Sequence, residues 1–350
     1  MTAFLSGIGS MLLTVVASVF VFGLVIFIHE LGHFLTAKFS GIKVNEFALG
    51  MGPTIFSRTR GETKYALRLL PVGGFVSMEG EDEESDRPGS FTKAPVGSRI
   101  LVTVAGAVMN LLLGFVVLLC VVCSQELVST RTVLQFYEGA STQQTGLREG
   151  DTIVAVNGRR CFVANDIVYE FARTQQGKAD FTVLRNGQRV QLNDVTFDTY
   201  EQDGVSQMVI DFVILGEKKT VIGVLREAGN WTLSLGRMMI LSLTDLITGR
   251  IAVNNLSGPV GIVSAISEAS SAGISSLLML LALITINLGV FNLLPIPALD
   301  GGRLLFLVIE AIRRRPISQK YEIAVNAAGF VLLIGLMVFA TFNDITKLIS

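Results

Sequence analysis

Val21-Phe22-Gly23-Leu24-Val25-Ile26-Phe27-Ile28-His29-Glu30-Leu31-Gly32-His33-Phe34 puts two histidines and a glutamate at the end of an apolar run. The run, residues 11–34, can cross a bilayer, which takes about 20 mostly apolar residues at about 1.5 Å rise each. It has no basic leader and no small-x-small cleavage site, and it leads straight into His29, so it reads as a retained span and not a signal peptide. Residues four apart share a helix face, so both imidazoles point at one spot with Glu30 beside it. In His-Glu-x-x-His the imidazoles hold zinc and the glutamate serves as general base toward a water. His29 and His33 are the only histidines in the chain. Burying them with a carboxylate at membrane depth costs several kcal/mol unless a cation offsets it. A divalent ion is therefore expected here.

The rest of the chain agrees with a membrane setting. Half of the 350 residues are apolar and 16% are charged, with mean hydropathy +0.58; soluble domains carry about 25% charged residues. Three more spans are predicted at 100–123, 274–294 and 323–342. Residues 231–247 are apolar but include Arg237 and Asp245, and predict an amphipathic helix near the membrane surface. A net charge of −1 excludes a general electrostatic affinity for nucleic acid. Cys120 and Cys123 lack the second pair of a zinc knuckle, and Cys161 stands alone, so all three read as packing residues.

Lysines and arginines set the orientation. Lys38, Lys43, Arg58, Arg60, Lys64, Arg68 and Arg99 lie between spans one and two, and Arg303, Arg313, Arg314, Arg315 and Lys320 lie between spans three and four. Both loops are expected in the cytoplasm, with the termini and the 125–272 region outside. The acidic run 81–86 reads as a solvated loop tip. Residues 64–78 alternate in polarity and meet a turn signal at Pro71-Val72-Gly73-Gly74, which predicts a β-hairpin whose edge can pair with an extended peptide. Residues 130–225 are charged, rich in Val and Ile, and punctuated by Asn157-Gly158 and Asn186-Gly187, so they predict one small β-rich domain.

Catalytic zinc takes three protein ligands and leaves a position for water. No third histidine exists, and Cys120 and Cys123 fall at the far end of span two. Asp300 lies at the cytoplasmic end of span three, level with the histidines. Pro295 and Pro297 unwind the helix ahead of it, and Gly301-Gly302 allow close packing behind it. Irregular backbone at membrane depth is tolerated where it lines a cavity. Asp300 is the expected third ligand, whereas Glu310 and Glu322 are expected to pair with the basic loop or face solvent.

His29-Glu30-Leu31-Gly32-His33 together with Asn292-Leu293-Leu294-Pro295-Ile296-Pro297-Ala298-Leu299-Asp300-Gly301-Gly302 resembles the site-2 protease family, in its bacterial RseP/RasP-like branch with a PDZ domain between spans two and three. Thr145-Gly146-Leu147-Arg148-Glu149-Gly150-Asp151 is similar to a stretch of bacterial protease PDZ domains, and Leu256-Ser257-Gly258-Pro259-Val260-Gly261 to the segment after them. Some relatives carry two tandem PDZ domains; this chain has room for one. The resemblance implies one Zn2+ per chain held by His29, His33 and Asp300, with Glu30 activating water. It implies cleavage inside the transmembrane segment of a single-span protein already trimmed by another protease, such as an anti-sigma factor or a signal-peptide remnant. The hairpin, with Tyr65, Leu67, Leu69, Gly73, Gly74 and Phe75, is similar to the family's membrane-reentrant β-loop, which pairs with an unwound substrate strand. Asn287 and Asn292 match family asparagines near the cleft, and Asn110 in span two is a candidate support of the site.

The expected fold is thus an α-helical membrane protein of four spans with a membrane-associated β-hairpin and a PDZ-like domain. Its parts are 1–124, the extracytoplasmic domain 125–226, an amphipathic linker 227–272, and 273–350. The expected location is the bacterial inner membrane, with the active site toward the cytoplasm and the PDZ-like domain binding peptide tails or filtering substrates by size. Two rivals remain: a scaffold with a structural zinc, and a metal permease. Against the permease, the predicted spans show no inverted repeat, and transport has no need of the base that His-Glu-x-x-His supplies.

Overall fold

The computed structural model describes residues 2–81, 85–174, 177–202, 205–250, 253, 256–315 and 317–349. In chain order the elements are α1 (Thr2–Phe39), β1 (Val44–Arg60), β2 (Thr63–Met78), α2 (Val96–Ser124), β3 (Leu127–Phe136), α3 (Ser141–Gln144), β4 (Thr152–Val156), β5 (Arg159–Arg160), α4 (Ala164–Ala172), β6 (Lys178–Arg185), β7 (Gln188–Thr196), β8 (Thr199–Gln202), β9 (Val205–Met208), β10 (Phe212–Lys218), α5 (Val221–Ile247), α6 (Pro259–Ala272), α7 (Ile274–Leu293), α8 (Asp300–Arg313) and α9 (Gln319–Ile349). They form two compact units, residues 1–117 with 239–350, and residues 118–238.

Among the described residues, four helices are long and apolar enough to cross a membrane: Met11–Phe39, Val96–Ser124, Ile274–Leu293 and Lys320–Lys347. Each contains or nearly matches a predicted span. In lipid only closed hydrogen-bonding schemes survive, and a 20-residue apolar helix is the simplest of them. Cys120 and Cys123 are exposed on α2 and do not pack as expected, because an apolar side chain in lipid has no need to be buried.

Residues 227–272, expected to form an amphipathic linker, hold most of α5 and all of α6. Helix α6 belongs to the spanning unit and bonds α1 through Thr14 and Ser267 at 2.9 Å. Its first turn is capped from α9: the buried Asp344 carboxylate accepts the Gly258 and Gly261 N–H groups at 2.8 and 2.7 Å.

The hairpin is larger than its sequence signal. Its tight turn is at Gly61-Glu62, and Gly73 instead bends the interior of β2. With φ at +89° for Gly50 and +82° for Gly73, both long strands fold back on themselves. Residues 44–49 then pair on one side with 74–78, antiparallel (Leu49 with Gly74, Phe47 with Val76). On the other side they face 64–67, with numbers rising together (Glu46 with Lys64, Leu49 with Leu67). Residues 56–60 complete the far side. Two strands thus make a four-stranded sheet with 74–78 at one edge, and no described strand pairs with that edge.

The second unit carries a six-stranded sheet of order β10-β3-β4-β6-β7, with β5 beside β4, and a separate β8-β9 hairpin. Both Asn-Gly pairs have positive φ and turn hairpins, β4–β5 and β6–β7. Leu147, Ile153, Val156, Phe181 and Val183 are fully buried in its core, where Phe171 and Phe197 meet edge-on at 4.5 Å. Asp151, from the Thr145–Asp151 stretch, is fully buried and paired with Arg185 at 2.7 Å. Cys161 is also in this core, and burial pushes its thiol up to about 12, so it stays a neutral packing group.

Candidate metal centre

Helix α1 carries His29, Glu30 and His33 on its inner half, and α2 crosses it there. The crossing is tight: a Cβ on Gly32 would stand 2.5 Å from the Ala105 carbonyl oxygen, and one on Gly106 would stand 2.4 Å from Nε2 of His33. With no side chain at 106, the α2 backbone lies directly against the imidazoles. His33 Nδ1 donates to the Val102 carbonyl at 2.8 Å, which leaves Nε2 with a free lone pair.

Asp300 comes from the other side. Helix α7 ends at Leu293, the Pro295–Leu299 loop turns the chain, and Asp300 is the first residue of α8. Its Oδ2 stands 3.2 Å from His29 Nε2 and 3.3 Å from His33 Nε2, and the two Nε2 atoms are 3.2 Å apart. Ligand atoms about 2.0–2.1 Å from a tetrahedral zinc lie roughly 3.3–3.4 Å from one another. The triangle therefore matches one face of a zinc tetrahedron. Apart from the two Nε2 atoms that face it, Asp300 Oδ2 is buried without a hydrogen-bond partner, the state of an atom whose lone pair is meant for an ion. Among the described residues this is the one group of three or more ligand-type side chains so arranged.

Asn110 of α2 is fully buried, with its Nδ2 3.3 Å from His29 Nδ1 and its Oδ1 without a hydrogen-bond partner. With Nε2 of His29 turned toward Asp300, the ring proton sits on Nδ1. Turning the amide over, so that Oδ1 in place of Nδ2 faces this proton, satisfies both groups at once.

A cleft of about 170 Å³ opens beside the triangle, lined in part by Glu30, Phe75, Val76, Met78 and Phe91. The sheet edge 74–78 forms one wall, and a Cβ on Gly74 would come within 3.1 Å of the Glu30 side chain. Of the hairpin residues named from sequence, Gly74 and Phe75 reach the site. Tyr65 instead joins an aromatic cluster with Phe34 and Phe47, and Leu67 and Leu69 are exposed. Asn287 and Asn292 lie on α7, Asn292 buried, and neither lines the cleft.

Sequence reasoning missed Glu81 and Arg303, which line the same cleft as the triangle. Glu81 is no solvated loop tip: it pairs with Arg303 and lines the cleft, while residues 82–84 of that acidic run lie outside the described residues. Arg303 also lies 3.7 Å from Glu322 and stacks on Phe91. The signal was there, since Arg303 follows Asp300 by three residues and shares its helix face. Glu310 pairs with Arg99 through two bonds of 2.6 and 3.0 Å, as a partner of the basic flanks.

The pattern of peptidase family M50 matches residues 17–336. The chain belongs to peptidase family M50. Its relatives in that family include a Clostridium perfringens protein, provisionally named a zinc metalloprotease, which is 36% identical with 95% of this chain and 98% of the relative covered. The regulator of sigma-W protease RasP of Bacillus subtilis is 32% identical over 96% of this chain and 99% of its own length. The zinc metalloprotease RasP of Shouchella clausii is also 32% identical, with 96% and 100% covered. The M50 chain described here is accordingly a membrane-embedded zinc metalloprotease, as its resemblance to site-2 proteases implied.

The close approach of α2 gives a test of this M50 centre. Gly106→Ala pushes a methyl group into the imidazoles, and overpacking of this kind costs about 1–3 kcal/mol. Zinc affinity, read by chelator competition, is expected to fall about tenfold or more; an unchanged affinity would mean that α2 can step back.

Proposed function

We propose that this chain cuts a peptide bond within the transmembrane segment of single-span membrane proteins, with His29, His33 and Asp300 holding one zinc and Glu30 acting as the base. The observation that carries this reading is the triangle of ligand atoms facing a cleft whose wall is a strand edge that no described strand pairs with. Such an edge offers main-chain hydrogen bonds to an extended segment, so a substrate helix that unwinds beside it exchanges its own bonds for new ones. A structural zinc would have no need of a cleft or of Glu30.

A bound zinc supplies Lewis acidity toward the scissile carbonyl and the attacking water. Glu30 takes the proton that the water loses and returns it to the leaving amine. Asn110 holds the His29 ring in its tautomer, and the Val102 carbonyl does the same for His33. Phe75, Val76 and Phe91 keep bulk water from the cut bond. Asn287 and Asn292 of α7 lie outside the cleft lining, so neither is assigned a contact with the substrate backbone.

The basic loops support a cytoplasmic active site, with the β-rich domain outside as a PDZ-like filter or tail binder. The Bacillus subtilis relative is named for regulation of sigma-W; by analogy the substrate here is a membrane-held regulator or a signal-peptide remnant, trimmed first by another protease. The test is cleavage of a model single-span substrate by the purified chain in liposomes, with the cut mapped by mass spectrometry. The expected cut lies inside the span, stops on chelation and returns with zinc. Cuts confined to the flanking loops, or cuts that survive chelation, would overturn the reading.

A further inference from the structure

We infer that Asn326 of α9 is a positioning residue for Asp300, acting through the backbone of Ala298; this rests on the reading of Asp300 as a zinc ligand. Ala298 lies two residues ahead of Asp300 and has φ at +69°, a region that residues with a Cβ seldom enter. The Leu299 N–H bonds the Ile296 carbonyl at 3.3 Å, so Pro297 and Ala298 occupy the centre of a tight turn. A turn with proline first and positive φ second is one that ordinarily takes glycine at the second place. Alanine there is strained, and an outside contact is needed to hold it.

Helix α9 supplies that contact. The Asn326 Oδ1 accepts the Ala298 N–H at 3.2 Å. One turn on, Gly329 presses against Pro297: a Cβ at 329 would stand 2.4 Å from the Pro297 Cβ and 2.8 Å from its carbonyl oxygen. Four residues before Asn326, Glu322 reaches Arg303 of α8. Glu322, Asn326 and Gly329 are the residues between Tyr321 and Phe330 that are not exposed, and their spacing puts them on one helix face. That face grips the loop on both sides of Asp300. A helix that carries no ligand thus fixes the direction from which the carboxylate arrives. An unpaired amide in a span is otherwise costly, and here it answers a main-chain N–H that no helix or sheet satisfies.

The experiment measures zinc affinity of the purified full-length chain by chelator competition, with circular dichroism as a check on helix content. Asn326→Ala is expected to bind zinc about tenfold more weakly at unchanged helicity, the lower end of what supporting residues of metal ligands contribute. Ala298→Gly adopts positive φ without strain, so adding it to Asn326→Ala is expected to recover threefold or more of that loss (roughly half of tenfold on a log scale). Wild-type zinc affinity in Asn326→Ala, or a loss that Ala298→Gly leaves untouched, would overturn the inference. Asp300→Asn run beside them separates the two readings. If it keeps wild-type affinity, the ligand assignment fails; if it loses zinc while Asn326→Ala does not, the positioning role alone fails.

Discussion

Glu30→Gln is expected to keep its zinc and to lose about a thousandfold in cleavage rate. The side chain ligates nothing in the triangle, since the facing atoms belong to His29, His33 and Asp300. It projects into the cleft beside them, against the bare backbone of Gly74. Glutamine keeps the shape and that contact but takes up no proton, and a positioned general base contributes about 10²- to 10⁴-fold. Zinc content by mass spectrometry should match the wild type while turnover of a single-span substrate collapses. Turnover within tenfold of wild type would remove Glu30 from the chemistry.

Asp300→Asn is expected to fail in the opposite way. A neutral amide is a poor zinc ligand, and Oδ2 of Asp300 closes the triangle with both imidazoles. Apparent zinc binding of about 10–16 kcal/mol in small zinc domains is shared among the ligands, so one of three accounts for roughly 10³-fold in affinity. Cleavage should fall with zinc content and return in part when zinc is raised, which Glu30→Gln will not do. Titrating both variants with zinc and following product separates a lost ligand from a lost base. An Asp300→Asn chain that holds zinc as tightly as wild type would break the ligand scheme.

Much of the architecture was legible because lipid leaves few choices. The four spans follow from apolar length alone, and the His29–His33 spacing put both rings on one face of the first. Asp300 was legible through Pro295 and Pro297, since a span broken by prolines must present its loop to something. The doubled sheet was not: alternation in 64–78 reports a strand, but pairing of 46–49 with 64–67 is a long-range event set by bends at Gly50 and Gly73. Glu81 and Arg303 were misread because charges in short loops carry topological information as well as contacts. Asn326 gave a faint signal that passed unread: with Glu322 it makes two polar residues four apart at the start of the last span, and near lipid such a pair faces protein.

Helix α9 is fastened near both ends, by Asn326 and Gly329 at the metal loop and by Asp344 at the start of α6. From 326 to 344 the rod is about 27 Å long at about 1.5 Å per residue. Adding or removing one residue between the fasteners turns one of them by about 100° against the other, so both cannot engage together. The spacing between the fasteners is therefore constrained, while the exposed side chains between them take part in neither contact. The length of α9 between its two fasteners is thereby coupled to the position of the loop ahead of Asp300.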